Sequence, residues 1–246
     1  MINPVLMIVY NNLALTQAAV ASVLEQDVDN LRIVILDNGS TDGTKQWLKS
    51  LAPKGNNYTI TTEFYSENQS PIKLGNLWMP TIYSWGAEYI LGVPNDVVLP
   101  PNLYRSLLKW PRGFVTATPS KVNPPAIIQN PSAVSEHTPM AVLLVRRWAY
   151  DAIMSKDGFF WDEGYFHYAS DVDLSLRMAA CGIRGAQLNV QYWHYESASY
   201  RLSSPEIARH TCQQADIDRE YFVKKFGFSV DSPEYAERCG DVNFVA

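Results

Sequence analysis

Charge is scarce in this chain. Asp, Glu, Lys and Arg make up 18% of its 246 residues, against roughly 25% in soluble domains generally. No block of five or more Lys/Arg occurs, and the net charge is −5 with a pI near 5.4. That balance argues against a nucleic-acid binder, whose footprint is a basic surface. Long apolar runs are missing too. The longest, Val5–Tyr10 and Met140–Val145, fall far short of the ~20 residues needed to span a bilayer. A basic leader with a cleavage site is not visible. Cysteine is limited to Cys181, Cys212 and Cys239, without C-x-x-C spacing. Such cysteines read as ordinary thiols of a reducing compartment, not as a disulfide framework or zinc site. A cytoplasmic protein is the expectation. Neither G-x-x-x-x-G-K-[ST] nor G-x-G-x-x-G is present, so the common phosphate cradles are absent. Internal repeats, low-complexity tracts and an obvious linker are lacking as well.

Aromatic residues are what the chain has in excess: 7 Trp, 14 Tyr and 9 Phe, or 12%. Extended disorder is thereby excluded, because disordered chains are poor in aromatics and rich in charge. The rings crowd into Trp148–Tyr168 and Tyr192–Tyr195.

The first hundred residues alternate strand and helix signals. Pro4–Tyr10 and Leu31–Leu36 are continuous apolar runs, as in strands buried on both faces. Thr16–Glu25 shows helical spacing between them, and a short helix carrying Trp47, Leu48 and Leu51 follows. Tyr58–Tyr65 reads as a third strand, Leu77–Gly86 as a helix and Glu88–Val93 as a fourth strand. This repetition predicts a parallel, doubly wound sheet, which binds ligands beyond the carboxyl ends of its strands. Thr116–Met140, with prolines at 119, 124, 125, 131 and 139, reads as mostly irregular. Met140–Arg146 is a strand candidate, Trp148–Met154 a short helix, and Asp171–Ala180 a helix ended by Gly182. Ser204-Pro205 opens a last long helix by N-cap and N1 chemistry, and Gly227 ends it.

Candidate chemistry sits where strands end and helices begin. Asp37 closes the second strand and opens Asp37-Asn38-Gly39-Ser40-Thr41-Asp42-Gly43-Thr44. A carboxylate there can accept hydrogen bonds from a base N–H or a ribose hydroxyl, or it can serve turn chemistry alone. Asn95-Asp96 follows the fourth strand directly. One or two carboxylates suffice to hold a hard cation whose shell is completed by diphosphate and water; an Asx turn is the plain alternative. Ser170-Asp171-Val172-Asp173 opens a helix, where Ser-x-x-Asp also reads as a capping box. Asp173 and Arg177, at i and i+4, read as a helix-surface ion pair, and His194 reads as a partly buried histidine.

Taken together and in this order, these motifs resemble family 2 glycosyltransferases of the GT-A fold over about residues 4–200. Tyr221-Phe222-Val223-Lys224-Lys225-Phe226-Gly227 is similar to that family's aromatic–lysine–glycine ending. The resemblance implies an α/β fold: a Rossmann-like, doubly wound, mostly parallel sheet with an acceptor-side α+β extension and a C-terminal helix. One domain would span 1–246, with a nucleotide-sugar half (1–98), an acceptor half (99–200) and a C-terminal helical segment (201–246). Tyr10 and Asp37 would hold the base, and Asn95 would lie near the ribose. Asp96 and His194 would bind Mn2+ or Mg2+. Asp171 would be the general base, and Trp161, Asp162 and Glu163 would border the acceptor. The Pro-rich loop with Glu136 and His137 would select that acceptor. Pro94 stands where the family's first metal-element carboxylate is usual, Ser170 where Glu is usual, and Asn68-Gln69-Ser70 lacks a glycine common in that loop.

The implied reaction is inverting transfer of a sugar from a nucleoside diphosphate to a hydroxyl of a glycan or other acceptor. A lipid-linked acceptor would be reached only by peripheral membrane contact. Rival readings are a degenerate nucleotide-sugar binder, a sugar-phosphate nucleotidyltransferase and a pure interaction module. The nucleotidyltransferase would need a basic Gly-rich loop, yet Asn11-Asn12-Leu13-Ala14 carries no Lys or Arg. The interaction module leaves the strand-end acids without a reason.

Overall fold

A computed structural model describes residues 1–135, 141–195, 205–230 and 232–239. The first half runs β1 (Asn3–Val9), α1 (Leu13–Leu24), β2 (Leu31–Asp37), α2 (Thr44–Ser50), β3 (Tyr58–Phe64), α3 (Pro71–Ser84), β4 (Tyr89–Gly92) and β5 (Val97–Val98). The second continues with α4 (Leu103–Leu108), β6 (Phe114–Ser120), β7 (Ala133–Ser135), β8 (Leu143–Arg146), α5 (Arg147–Asp157), α6 (Ser170–Ala180) and β9 (Gly185–His194). Helices α7 (Pro205–Phe226) and α8 (Pro233–Cys239) close the described chain.

One sheet of nine strands, among the described residues, is ordered β3-β2-β1-β4-β8-β6-β9-β5, with β7 paired to β9. The first four are parallel, as the βα alternation predicts. Beyond β4 the sheet changes character. Strand β8 runs antiparallel to both β4 and β6, whereas β6 and β9 run parallel. Two reversals leave β6 and β9 pointing the same way as β1 and β4. The carboxyl end of β9 therefore lands on the same sheet edge as those of β1, β2 and β4.

Alternation along the strands divides the core. Val5, Met7 and Val9 of β1 enter one buried layer with Val20, Val23 and Leu103 from α1 and α4. Leu6 enters the other, with Leu74, Ile82, Ile153 and Leu174 from α3, α5 and α6. Both faces of a strand flanked by helices must be apolar, which is why Pro4–Tyr10 lacks polar alternation. A third, smaller core joins Tyr165 and Leu176 to Phe222, Phe228 and Tyr235. Helices α7 and α8 are thereby packed against α6.

Several elements depart from expectation. Helix α3 begins earlier, at Pro71 in the first turn, and continues through Pro80; proline is at home in a first turn, where its missing N–H costs nothing. The segment 116–140 is less irregular than its prolines suggest, since β6 extends to Ser120 and β7 occupies Ala133–Ser135. Strand β9 has no counterpart in the sequence reading. Its signal is nonetheless present, because Ala186, Leu188, Val190 and Tyr192 are buried at period two. Glu136, His137 and Ser204 lie outside the described residues. Cys181 and Cys212 are free thiols. No helix among the described residues is long and apolar enough to cross a membrane.

Candidate active site

The carboxyl edge of the parallel strands is organised by two interlocked loops. Asn11 and Asn12, after β1, adopt left-handed backbone with φ of 53° and 58°, a conformation asparagine tolerates better than most residues. The Asn11 side chain accepts from Thr41 N at 2.8 Å, while Asn11 N donates to Ser40 Oγ at 2.8 Å. Asp42 accepts from Leu13 N at 3.0 Å and from the Thr44 hydroxyl at 2.7 Å. Burial raises its carboxyl, but these bonds prevail and hold it below the usual value. Gly39 sits at φ 81°, and a Cβ there would come within 2.6 Å of the Glu67 carbonyl carbon, so only glycine fits. Asn38 donates to Asn68 Oδ1 at 2.9 Å and to Gln69 O at 2.8 Å. Most of the motif after β2 is thus turn chemistry.

Asp37 is the exception. It is 0% exposed, and among the described residues neither carboxylate oxygen has a hydrogen-bond partner. A buried carboxylate without a partner is costly. The β1–β2 register pairs Asp37 with Val9, so half-buried Tyr10 begins the loop beside it.

Asn95 and Asp96 follow β4 as expected, yet they differ in use. The Asn95 amide gives its two hydrogens to Asn11 O at 3.1 Å and Thr16 Oγ1 at 2.9 Å, bracing the loop after β1. Asp96 faces His194, with Oδ2 and Nε2 at 3.5 Å and side-chain exposures of 17% and 22%. The antiparallel pairing of Val97 with His194 creates this approach. An accessible carboxylate suits Mn2+ or Mg2+, and an imidazole beside it is a common further metal ligand. Only two are present: among the described residues no group of three His, Cys, Asp or Glu could hold a metal. Remaining positions would fall to diphosphate and water.

On the acceptor side, Asp171 lies in the first turn of α6, where its carboxylate accepts from Val172 N at 2.9 Å. His167, unmarked in the sequence, joins it. This residue is exposed, yet enough protein surrounds it that desolvation pulls its imidazole below the ordinary value, against the charges of Asp171, Asp218 and Asp96.

The capping-box and surface-pair readings of α6 do not hold. The N-cap position is Ala169, at φ 56°, and Ser170 Oγ donates to His167 O at 2.7 Å. Asp173 is fully buried; it accepts from Arg177 Nε at 2.5 Å, from Tyr165 OH at 3.2 Å and from Lys225 Nζ. Arg177 also donates to Phe160 O at 2.6 Å. A pair at i and i+4 is exposed only if that helix face is, and α7 covers this one.

Trp161, Asp162 and Glu163 are bound to two helices. Asn76 of α3 accepts from Trp161 N at 3.0 Å and donates to Trp161 O at 2.8 Å and Glu163 Oε1 at 3.0 Å. Asp162 accepts from Lys225 Nζ at 2.6 Å, Gly164 N at 2.9 Å and Tyr221 OH at 3.3 Å. Burial raises the Asp162 carboxyl, but these bonds outweigh it and leave the group below its usual value. Lys225 is the mirror case, lowered by burial but raised further by the Asp162 and Asp173 bonds. A shallow cavity of about 530 Å³ lined by Glu88, Arg146, Arg147 and Trp148 lies at the opposite edge of the sheet, away from all these groups.

The fold is GT-A, shared with solved glycosyltransferases at low sequence identity. TarS residues 1–349 from S. aureus, solved with UDP, align at 16% identity and TM-score 0.60, covering 94% of this chain and 73% of that one. Mannosyltransferase PcManGT from Pyrobaculum calidifontis, solved with GDP-Man and Mn2+, aligns at 17% and 0.62, covering 96% and 67%. GalNAc-T7, solved with UDP, GalNAc and Mn2+, aligns at 12% and 0.56, covering 98% and 55%. No curated protein sequence matches the chain. Residues 5–110, a little under half of the chain, match the model of glycosyl transferase family 2.

Proposed function

We propose that the protein transfers a glycosyl group from a nucleoside-diphosphate sugar to an acceptor hydroxyl, with inversion at the anomeric carbon. The observation that carries this reading is the Asp37 carboxylate, fully buried and without a partner. No donor among the described residues reaches it, and a base N–H and ribose hydroxyl would meet that need, with Tyr10 stacking beside them. The nucleotide complexes of TarS and GalNAc-T7 with UDP, and of PcManGT with GDP-Man, support a diphosphate leaving group without selecting the base. Residues 1–98 would form the nucleotide-sugar half, 99–200 the acceptor half, and 201–246 the segment that closes it, in a cytoplasmic protein.

In this mechanism Asp171 takes the acceptor proton at a carboxylate oxygen while the acceptor oxygen attacks the anomeric carbon. The bond from that carbon to the diphosphate breaks on the opposite face, so one displacement inverts the configuration. General-base assistance of this kind contributes ~10²–10⁴-fold. Asp96 and His194 would hold Mn2+ or Mg2+; bound there, the ion neutralises charge on the leaving diphosphate. Asn95 keeps the loop after β1 in place beneath the donor. Trp161, Asp162 and Glu163, tied to α3 and α7, would wall the acceptor.

The test is thermal unfolding of the protein with a panel of nucleoside diphosphates and their sugars, with manganese or with chelator. Base-selective, manganese-enhanced stabilisation is expected in the wild type and not in Asp37→Asn. If no member of the panel stabilises the wild type, the reading fails. Release of nucleoside diphosphate from the donor so identified separates transfer from mere binding.

A further inference from the structure

The residues that would do the chemistry depend on a loop, 166–169, that carries no regular structure and leads straight into Asp171. Three of its consecutive main-chain N–H groups converge on one side chain. Phe166 N donates to Asp218 Oδ1 at 2.9 Å, and His167 N and Tyr168 N donate to Oδ2 at 2.9 and 2.7 Å. Gln214 Nε2 supplies a fourth bond to Oδ1, at 3.1 Å. Asp218 is 0% exposed, and among the described residues no cation within 4 Å pairs with it. A buried carboxylate balanced by neutral amide donors holds them strongly, since bonds to an ionised acceptor are about twice as strong as neutral ones.

The loop is held from two other sides. Ser70 Oγ, at the start of α3, donates to Phe166 O at 2.6 Å, and Ser170 Oγ donates to His167 O at 2.7 Å. Ala169 then turns at φ 56°, and its carbonyl accepts from Asp173 N as the helix begins. An alanine stays left-handed only where its surroundings over-determine it. Resting on the assignment of Asp171 as base, we propose that Asp218 of α7 is a positioning residue for the transfer step. It fixes the 166–169 backbone so that His167 and Asp171 face the donor at a set height. Asp218 touches no reacting atom; it acts through the three amides it binds.

A purely architectural aspartate would be expected to affect stability and leave turnover alone. Asp218→Asn separates the two cases. Asparagine has one acceptor oxygen, and its NH2 would meet N–H groups it cannot satisfy. We expect kcat for transfer to fall about a hundredfold, the scale of a 1 Å misplacement. The Kd for the nucleoside diphosphate should stay within about twofold, because Tyr10 and Asp37 do not use this loop. Amide exchange at 166–168 should accelerate more than about tenfold as local opening becomes easier. Faster exchange with kcat unchanged would overturn the proposal and leave Asp218 a fold anchor. If Asp218→Asn does not fold, Gln214→Leu decides: a fall in kcat at constant nucleotide Kd supports positioning, and an unchanged kcat overturns it. A wild-type chain that binds nucleotide but transfers nothing removes the base assignment itself. In that event amide exchange still shows whether the clamp exists.

Discussion

Two buried aspartates, one on each half of the molecule, are treated in opposite ways. Asp37, at the end of β2, has no partner for either oxygen among the described residues. Asp173, in α6, meets Arg177, Lys225 and Tyr165, and both residues are fully buried. The contrast separates function from architecture. A carboxylate that the chain surrounds with donors is spent on holding helices together, and one left bare at a strand end is, in the function proposed above, the one that would meet the nucleotide. Asp218 stands between them, saturated like Asp173 but by the backbone of the loop that bears Asp171.

This comparison breaks most visibly at Asp173. Asp173→Ala removes the buried carboxylate that Arg177 and Lys225 share and leaves them only Asp157 and Asp162, and loss of one partner of a buried pair costs about 3–5 kcal/mol. A fall in Tm of about 10 °C or more is expected at this chain length, measured by calorimetry without ligand. Next in size is Asp171→Asn, expected to lower kcat at least about a hundredfold while nucleotide affinity is kept; product release with a saturating donor checks it. Asp37→Asn should do the reverse of Asp173→Ala. The free protein keeps or slightly gains Tm, and nucleoside diphosphate binds about tenfold or more weakly, the scale of a hydrogen bond to a charged group. Titration calorimetry of that variant would refute the contrast if affinity were unchanged.

A smaller effect concerns pH. Asp162 is depressed in the folded protein, so its stabilisation is complete above the unfolded value near 3.9 and is lost as pH falls through the lower folded value. Lys225 is raised, so its share is complete below about 10.4 and is lost as pH rises through the higher folded value. Tm should therefore be flat across neutral pH and drop at acid pH. Lys225→Met should lower the plateau and make the acid limb shallower, because Asp162 loses its largest stabilising bond. The smallest expected change is His194→Ala, which should abolish the manganese-dependent increment in nucleotide binding and leave metal-free binding unaltered.

Much of the fold was legible in order along the chain. Apolar runs at 4–10 and 31–36, separated by a helical period, announce parallel strands because a strand covered on both faces must be apolar on both. The Asp37 motif was legible for a related reason, since turn residues after a buried strand mark a carboxyl edge. Strand β9 was overlooked although Ala186, Leu188, Val190 and Tyr192 alternate with Gln and Asn. Its neighbours in the sheet, β6 and β5, are far away in sequence, and nothing local says which edge it joins.

Asp218 illustrates a similar gap. It shares the buried stripe of α7 with Ala215 and Phe222, a sign that it faces inward, but its partners lie some fifty residues earlier. By itself the sequence determined that strand-end acids would collect along one edge of an α/β sheet, because periodicity and turn chemistry are local. Only tertiary structure decided which acids stay available. Pairing across the sheet and the docking of α7 saturate Asp162, Asp173 and Asp218, and the same packing leaves Asp37 buried without a donor among the described residues.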